Sequence, residues 1–354
     1  MKRLILFLLS VLLCCSLLTG CRFGTEPSGK TRMVTDSCGR PVEVPEQINR
    51  IAPSGSYAQI VLYTICPEKL CALSSEPSRV QKTYLTKLTD GLPALGHFYG
   101  TGNTISYESL LAADPDVIVD VGDYKENIAQ DLDTLQEETG IPVLFVQADL
   151  EHMADAYDFL GDILGKADRT DAEAAYIRQT LEFAAQCRQQ LTQETTVTGV
   201  YVQGEYGLEV NGVGSSHAEV LDIVGVRNVA QLGSLSAGGG DEVTMDQMLL
   251  WNPDVVIISP DGNFEDIFDD PLWQLTSAVK NNTVYEVPLG PYNWLDRPPS
   301  VQRILGIWWL GNLIYPELYQ FNMVEKAQDF YRLFWGYELS EAEAEALLAN
   351  STLR

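Results

Sequence analysis

Two ten-residue stretches of this chain carry the same order of apolar and polar positions. Leu110-Leu111-Ala112-Ala113-Asp114-Pro115-Asp116-Val117-Ile118-Val119 recurs as Leu249-Leu250-Trp251-Asn252-Pro253-Asp254-Val255-Val256-Ile257-Ile258. Each reads as a helix end, a proline stop and an unbroken Val/Ile run. Proline cannot continue a helix, and the residue before it is pushed out of the helical region. Continuous β-branched runs suit strands covered on both faces, as in a parallel α/β sheet. The echo predicts a duplicated lobe.

The rest of the pattern fills in around these copies. Met33 to Val44 alternates about a turn at Ser37-Cys38-Gly39 and predicts a β-hairpin. Arg50-Ile51-Ala52 begins a short strand, and Ala58 to Ile65 is helical. Met153 to Lys166 has apolar residues at helix spacing. After Ala167-Asp168-Arg169 a second helical run extends from Thr170 to Gln193, with Asp171 and Glu173 at its start and Arg188 near its end. About 24 helical residues extend roughly 36 Å, enough to join two lobes rigidly. Val197 to Gln203 opens the second lobe as a strand. Gly212 to His217 leads into a helix, Phe264 to Lys280 is mixed, and Val284 to Val287 is a short strand. Ser300 is placed to cap a helix over Val301 to Ile314, and Ser340 to Leu348 is a surface helix.

The first residues differ in kind. Lys2 and Arg3 precede an apolar run from Leu4 to Leu13, which is too short to span a bilayer. The stretch closes on Leu18-Thr19-Gly20-Cys21. This is a secretory signal, and its ending resembles a bacterial lipobox in which Cys21 becomes the acylated N-terminus. Residues 1–20 are then the signal peptide and 21–32 a tether. The first lobe covers 33–166, the connecting helix 167–195 and the second lobe 196–354. The expected location is outside the cytoplasm, on a membrane, held by lipid.

A net charge of −26 argues against nucleic acid as a partner. An apolar fraction of 45% suits a globular body with a real core. Of seven cysteines, Cys14 and Cys15 leave with the signal and Cys21 carries lipid. Cys66 and Cys71 are near enough to pair, or are buried thiols. No C-x-x-C, G-x-x-x-x-G-K-[ST], H-E-x-x-H or G-x-S-x-G occurs, so no enzyme and no resident cofactor or metal is expected. His152 reads as solvated. His97 and His217 lie in loops, where a metal role needs carboxylate partners.

The loops after the strands carry the candidate chemistry, because ligands of open α/β sheets bind beyond the strands' carboxyl ends. They hold Ser54-Gly55-Ser56-Tyr57, His97, Tyr99, Tyr124, Tyr206, Tyr292, Trp294 and Arg297. Tyrosine and tryptophan offer stacking area with a polar handle. Arginine offers a forked donor for anionic groups.

These residues in this order resemble the extracytoplasmic substrate-binding lipoproteins of ABC importers, in the class serving iron–siderophore, haem and vitamin B12 uptake. The resemblance rests on Val34-Thr35-Asp36, Gly39-Arg40, Val44-Pro45, Arg50-Ile51, both Pro-Asp-Val strands, Gly225, Asn228-Val229, Arg297-Pro298-Pro299-Ser300, Gly306 and Trp309-Leu310. It implies an α/β fold of two lobes with mainly parallel sheets, joined by one long helix, and a ligand held in the cleft between them. It implies an ABC permease and its ATPase as partners, and a small-molecule metal complex as cargo. A ferric siderophore leads, as a large and partly anionic chelate. Cobalamin, haem and molybdate or tungstate follow. Each lobe of such proteins offers a surface glutamate to the permease. The pattern places one at Glu219 and the other at Gln59, a departure that leaves a hydrogen bond there or passes the role to Glu68. The rival from another class is a surface metallohydrolase or metal-cluster enzyme.

Overall fold

The computed structural model describes residues 29–98, 105–236, 238–262 and 264–351. Cys21, the signal and Tyr99 lie outside the described residues. Strand β1 (Thr31–Thr35) pairs antiparallel with β2 (Pro41–Pro45). Val34, Val42 and Val44 point inward, as a period of two requires. The turn is organised by Asp36. Its carboxylate accepts from the amides of Cys38 (3.1 Å), Arg40 (2.9 Å) and Phe145 (3.2 Å), and from the Arg40 guanidinium at 2.9 Å. Arg40 also donates to Val143 O at 3.1 Å. The hairpin is thereby pinned to the first sheet.

That sheet runs β3 (Ile51–Pro53), β4 (Val117–Gly122), β5 (Val143–Gln147), all parallel. The second is built from β6 (Thr198–Gln203), β7 (Glu209–Val210), β8 (Arg227–Asn228), β9 (Asp241–Glu242), β10 (Val255–Ile258) and β11 (Val284–Glu286). Its order is β11-β10-β6-β7-β9, with β8 also on β6. Strands β6, β8, β10 and β11 are parallel, while β7 and β9 form an antiparallel edge. The mainly parallel two-lobe fold expected from the sequence is the one observed.

The echo holds atom by atom. Ser106 caps the helix Tyr107–Ala113 and Thr244 caps Met245–Trp251, each by accepting from the amide of the third helical residue, Ser109 and Gln247. Asp114 and Asn252 take left-handed φ values of 47° and 42° and end the two helices. One residue past each proline, a carboxylate latches the neighbouring strand. Asp116 accepts from Arg50 N and Asp254 from Thr198 N, both at 2.9 Å. The Pro-Asp-Val unit thus sets the register of the first parallel pair in each lobe.

The connection between lobes is a helix pair. Met153–Leu164 stops at Gly165, whose φ of +66° is the usual glycine exit from a helix. The next helix, Ala167–Arg188, starts where the connecting segment was expected to begin, ends at Arg188 rather than Gln193, and is about 33 Å long. The break falls at Gly165-Lys166 because nothing in Ala167-Asp168-Arg169 opposes a helix. Among the described residues no helix is long and apolar enough to cross a membrane.

The chain after Tyr315 does not stay with the second lobe. Helix Met323–Phe330 and the wide turn Tyr331–Trp335 lie across the seam. Trp335 meets Tyr63 at 5.9 Å, Tyr331 meets Tyr84 at 5.4 Å, and Phe334 meets Tyr157 at 5.8 Å between ring centres. Such a run of large rings needs a covered site, and the first lobe's helices supply it. Cys66 and Cys71 are both buried free thiols, pushed by burial up to about 12 and about 11.

One carboxyl in the connecting helix gives the fold a pH dependence. Glu173 is fully buried, 3.1 Å from Arg169 Nε, with its second oxygen unpartnered. Burial pushes it from 4.5 up to about 8, against the pull of Arg169 and Lys87. The folded state therefore holds a proton that the unfolded chain releases above 4.5. This stabilisation is complete below that value and is lost as pH rises through about 8, at no more than about 1.4 kcal/mol per pH unit. Melting curves between pH 6 and 9 should show the wild type losing stability and Glu173→Gln losing less. Parallel slopes for the two proteins would remove Glu173 as the cause.

Candidate functional site

The strand ends converge on an interlobe cleft. Strand β3 runs into Ser54-Gly55-Ser56-Tyr57. The Ser54 hydroxyl donates to the buried Asp120 carboxylate, which burial pushes up. Gly55 precedes the helix Ser56–Ile65 with no side-chain cap and no acid in the first turn, so the first amides lack side-chain partners at that end. A Cβ on Gly55 would lie 3.4 Å from His97 Nδ1, which places His97 against the same turn. Strands β4 and β5 end in Asp123-Tyr124 and Gln147-Ala148-Asp149. From the second lobe come Gly214-Ser215-Ser216, Glu219 and Asp222. Asp123, Tyr124, Gln147 and Asp149 of the first lobe and Gly214-Ser215-Ser216, Glu219 and Asp222 of the second line a cavity of about 370 Å³.

Arg303 joins the two walls. It is entirely buried at the start of the helix Gln302–Ile314. One guanidinium nitrogen is 2.7 Å from Glu219 Oε2, and the other donates to the Tyr57 hydroxyl at 3.1 Å. Tyr57 in turn donates to Ala148 O. Burial pushes the Tyr57 hydroxyl up to about 12 despite Arg303. Burial also pushes Glu219 up, with Arg303 opposing and the charges of Asp123 and Asp149 adding to the push. Asp149 is itself held low by hydrogen bonds from Gln147 and His152, against its desolvation. His152 sits 2.7 Å from Asp149 with 44% of its side chain exposed.

The remaining expectations separate. Tyr57 stands on the floor of the seam with its hydroxyl taken by Arg303 and Ala148, and Ser56 and His97 belong to the turn beside it. Tyr124 is 58% exposed, stands on Phe145 and lines the cavity. Arg297 is on the second-lobe wall with φ +54°, a left-handed conformation costing ~1 kcal/mol. Its guanidinium lies 3.9 Å from Asp261 and 4.0 Å from Asp296. Trp294 and Tyr292 do not face a ligand. Trp294 is fully buried, and Tyr292 packs on Trp335 at 5.7 Å. Tyr206 is 71% exposed and lines a separate depression against Trp273 and the helix Phe264–Asp269. Gln59 reaches no surface partner. It is buried, and its side-chain oxygen accepts from Ser74 N at 2.6 Å and Ser74 Oγ at 2.9 Å. Glu219 is spent on Arg303. Sequence reasoning missed Arg303, Asp123 and Asp149. The signal for Arg303 was a lone cation opening the apolar helix Ile304 to Leu310.

Comparison with known proteins follows this geometry. The periplasmic binding protein family matches residues 81–289, more than half of the chain. An ABC transporter solute-binding protein from Sulfurospirillum deleyianum is 30% identical with a TM-score of 0.81, covering 90% of this chain and 99% of that one. A periplasmic solute-binding protein from Veillonella parvula is 25% identical with a TM-score of 0.73, covering 91% and 98%. The Haemophilus influenzae molybdate-binding protein of an ABC transporter is 18% identical with a TM-score of 0.68, covering 87% and 99%, a likeness of fold. Among the curated proteins there is no match. A cleft between two duplicated α/β lobes, matched over nearly the full length by solute-binding proteins, places this chain in the periplasmic binding protein family, as an extracytoplasmic solute-binding protein of the ABC-importer class.

Proposed function

We propose that the chain is the lipid-anchored substrate-binding component of an ABC importer. It is tethered through Cys21, captures an iron–siderophore complex and delivers it to a permease driven by an ATPase. The charge of the cavity carries the ligand reading. Asp123, Asp149, Glu219 and Asp222 line it, against the buried cation Arg303 at its floor, and Arg297 on the adjoining wall is flanked by two carboxylates. A carboxylate within 4 Å of an anion costs up to about 4 kcal/mol at the effective dielectric of a protein surface. The acidic lining therefore moves the expected chelate from partly anionic to neutral or cationic. Hydroxamate-type ferric complexes fit this better than tris-catecholates, molybdate, tungstate or haem with its propionates. Cobalamin also lacks excess negative charge, so the acidic lining does not select against it.

Titration of the ligand-free protein separates these cargoes. A ferric trihydroxamate should quench tryptophan and tyrosine fluorescence saturably, while a ferric tris-catecholate and molybdate should leave it unchanged. Binding of the catecholate or molybdate alone would sink the charge argument.

The anchor has its own test. Cys21→Ser should remove acyl mass and release the protein from the membrane fraction, because the covalent lipid supplies the hydrophobic attachment. A variant that still sediments with membrane and still carries acyl chains would contradict the assignment.

Glu219 was assigned by resemblance to permease docking, yet it holds the seam. Glu219→Ala should lower the melting temperature, since stranding a buried partner costs about 3–5 kcal/mol. The lower end applies, because the carboxylate is 28% exposed. Uptake should fall only in proportion to folded protein lost. Unchanged melting with impaired uptake would return Glu219 to the docking surface.

A further inference from the structure

The carboxyl end of β6 carries a second polar cluster that the cleft floor does not use. Gln203 is fully buried and neither of its amide atoms has a hydrogen-bond partner. Asn211 is fully buried. Its Oδ1 accepts from Gly240 N at 3.2 Å, but its Nδ2 donates to nothing. Asp296 is fully buried, with one oxygen 2.6 Å from His217 Nδ1. Its other oxygen accepts no hydrogen bond and faces Arg297 Nε at 4.0 Å.

These side chains line one wall, and the glycines at 239 and 240 show it. A Cβ on Gly240 would strike Gln203 Nε2 and lie 3.1 Å from Glu209 and 3.2 Å from Arg297. A Cβ on Gly239 would strike Asn211 Oδ1 and lie 3.0 Å from the His217 ring. Both glycines have positive φ, 68° and 76°. The loop is drawn closed by the Asp241 carboxylate, which accepts from Ser236 N at 3.1 Å and Ser236 Oγ at 2.5 Å. His217 directly follows Ser215 and Ser216, which line the interlobe cavity, so the cluster adjoins the cleft.

Buried polar groups in native proteins are almost always paired, and exceptions call for a reason. A loop that served only to cover this wall would pair the groups beneath it. Among the described residues this one donates Gly240 N to Asn211 and leaves four polar atoms orphaned. We infer that Gln203, Asn211, Asp296 and Arg297 form a ligand subsite of the second lobe, that Gly239-Gly240 covers it and moves aside on binding, and that it takes the hydroxyl- or amide-bearing part of an organic chelator. The subsite offers donors from Gln203 Nε2, Asn211 Nδ2 and Arg297, and acceptors from Gln203 Oε1 and Asp296 Oδ2. A bare oxyanion brings acceptors only and would leave both oxygens opposed by its own. Hydroxyl and amide groups bring both kinds. This inference rests on the reading of the cleft as a site for a metal chelate.

Two variants of the full chain test it, with a ferric trihydroxamate as probe and molybdate as control. Gln203→Leu should raise the melting temperature, because an orphaned amide is replaced by an apolar group of similar size. The same variant should weaken the chelate by about tenfold, the loss of one or two hydrogen bonds. Gly240→Ala should lower the melting temperature yet tighten the chelate by about threefold or more, since a displaced loop raises the binding-competent fraction. A glutamine that only supports the fold would behave oppositely, lowering the melting temperature in Gln203→Leu with affinity unchanged. That result, or weaker binding by Gly240→Ala, overturns the subsite while leaving the chelate reading intact. If the wild type binds no trihydroxamate, the chelate reading falls. The subsite is then judged by the melting temperature of Gln203→Leu alone, where a decrease rejects it and an increase supports it.

Discussion

The buried guanidinium of Arg303 is the constraint on which the cleft depends. An arginine cannot shed its charge inside a protein, and an unpaired charge in the interior is far too costly to keep. It must be met by partners, and it draws them from both lobes: the Glu219 carboxylate from the second and the Tyr57 hydroxyl from the first. The Tyr57 ring lies 5.9 Å from the guanidinium carbon, adding a face for the cation. Pulling the lobes apart at this point would strand at least one of the three groups. The spacing of the walls is therefore set at the floor.

The rest of the scaffold repeats that preference for fixed geometry. The connecting helix is continuous from Ala167 to Arg188, and the aromatic run from Phe330 to Trp335 packs across the seam onto Tyr63, Tyr84 and Tyr157. Within each lobe the Pro-Asp-Val unit locks the first parallel pair with a carboxylate. A ligand entering such a frame gains little from wide lobe closure. What can yield are the loops beyond the strands, which carry glycine where close approach demands it. The structure is stiff where it is duplicated and permissive where it is not.

The division between what the sequence discloses and what it hides follows from the same physics. Periodicity and stop signals are local, so the two lobes, the hairpin and the connecting helix could be read directly. The echo gave the helix end, the proline stop and the buried strand of each copy, while the paired caps and carboxylate latches emerge only in the structure. The aromatic loop from Gly290 to Pro299 was misread because its composition is the same whether its rings turn to the cleft or to the core. What turns Tyr292 inward is Trp335, a contact far along the chain that no local signal reports. Gln59 was taken as a surface residue for the same reason. Its partner, the Ser74 backbone, comes from a segment beyond the following turn. Arg303 could have been noticed, since a cation opening an apolar helix must find a counter-charge, but Glu219 as that partner is a tertiary fact.

The contrast between the two walls of the cleft is itself informative. On the floor, burial is costly and the central groups are answered, Arg303 by Glu219 and Tyr57 and Asp149 by Gln147 and His152, while one oxygen of Asp123 is not. On the second-lobe wall the side chains are fully buried, yet both amide atoms of Gln203, the Nδ2 of Asn211 and one oxygen of Asp296 go unanswered. Desolvating those groups opposes folding, and a frame this rigid offers ample alternatives of the same shape. Their persistence beside a backbone of two left-handed glycines means the cost is offset in another state of the molecule. For a protein whose work is to hold a solute and release it, the state that supplies the missing partners is the loaded one. Instability concentrated in the empty cleft then becomes affinity in the full one, without any demand on the seam that keeps the lobes in place.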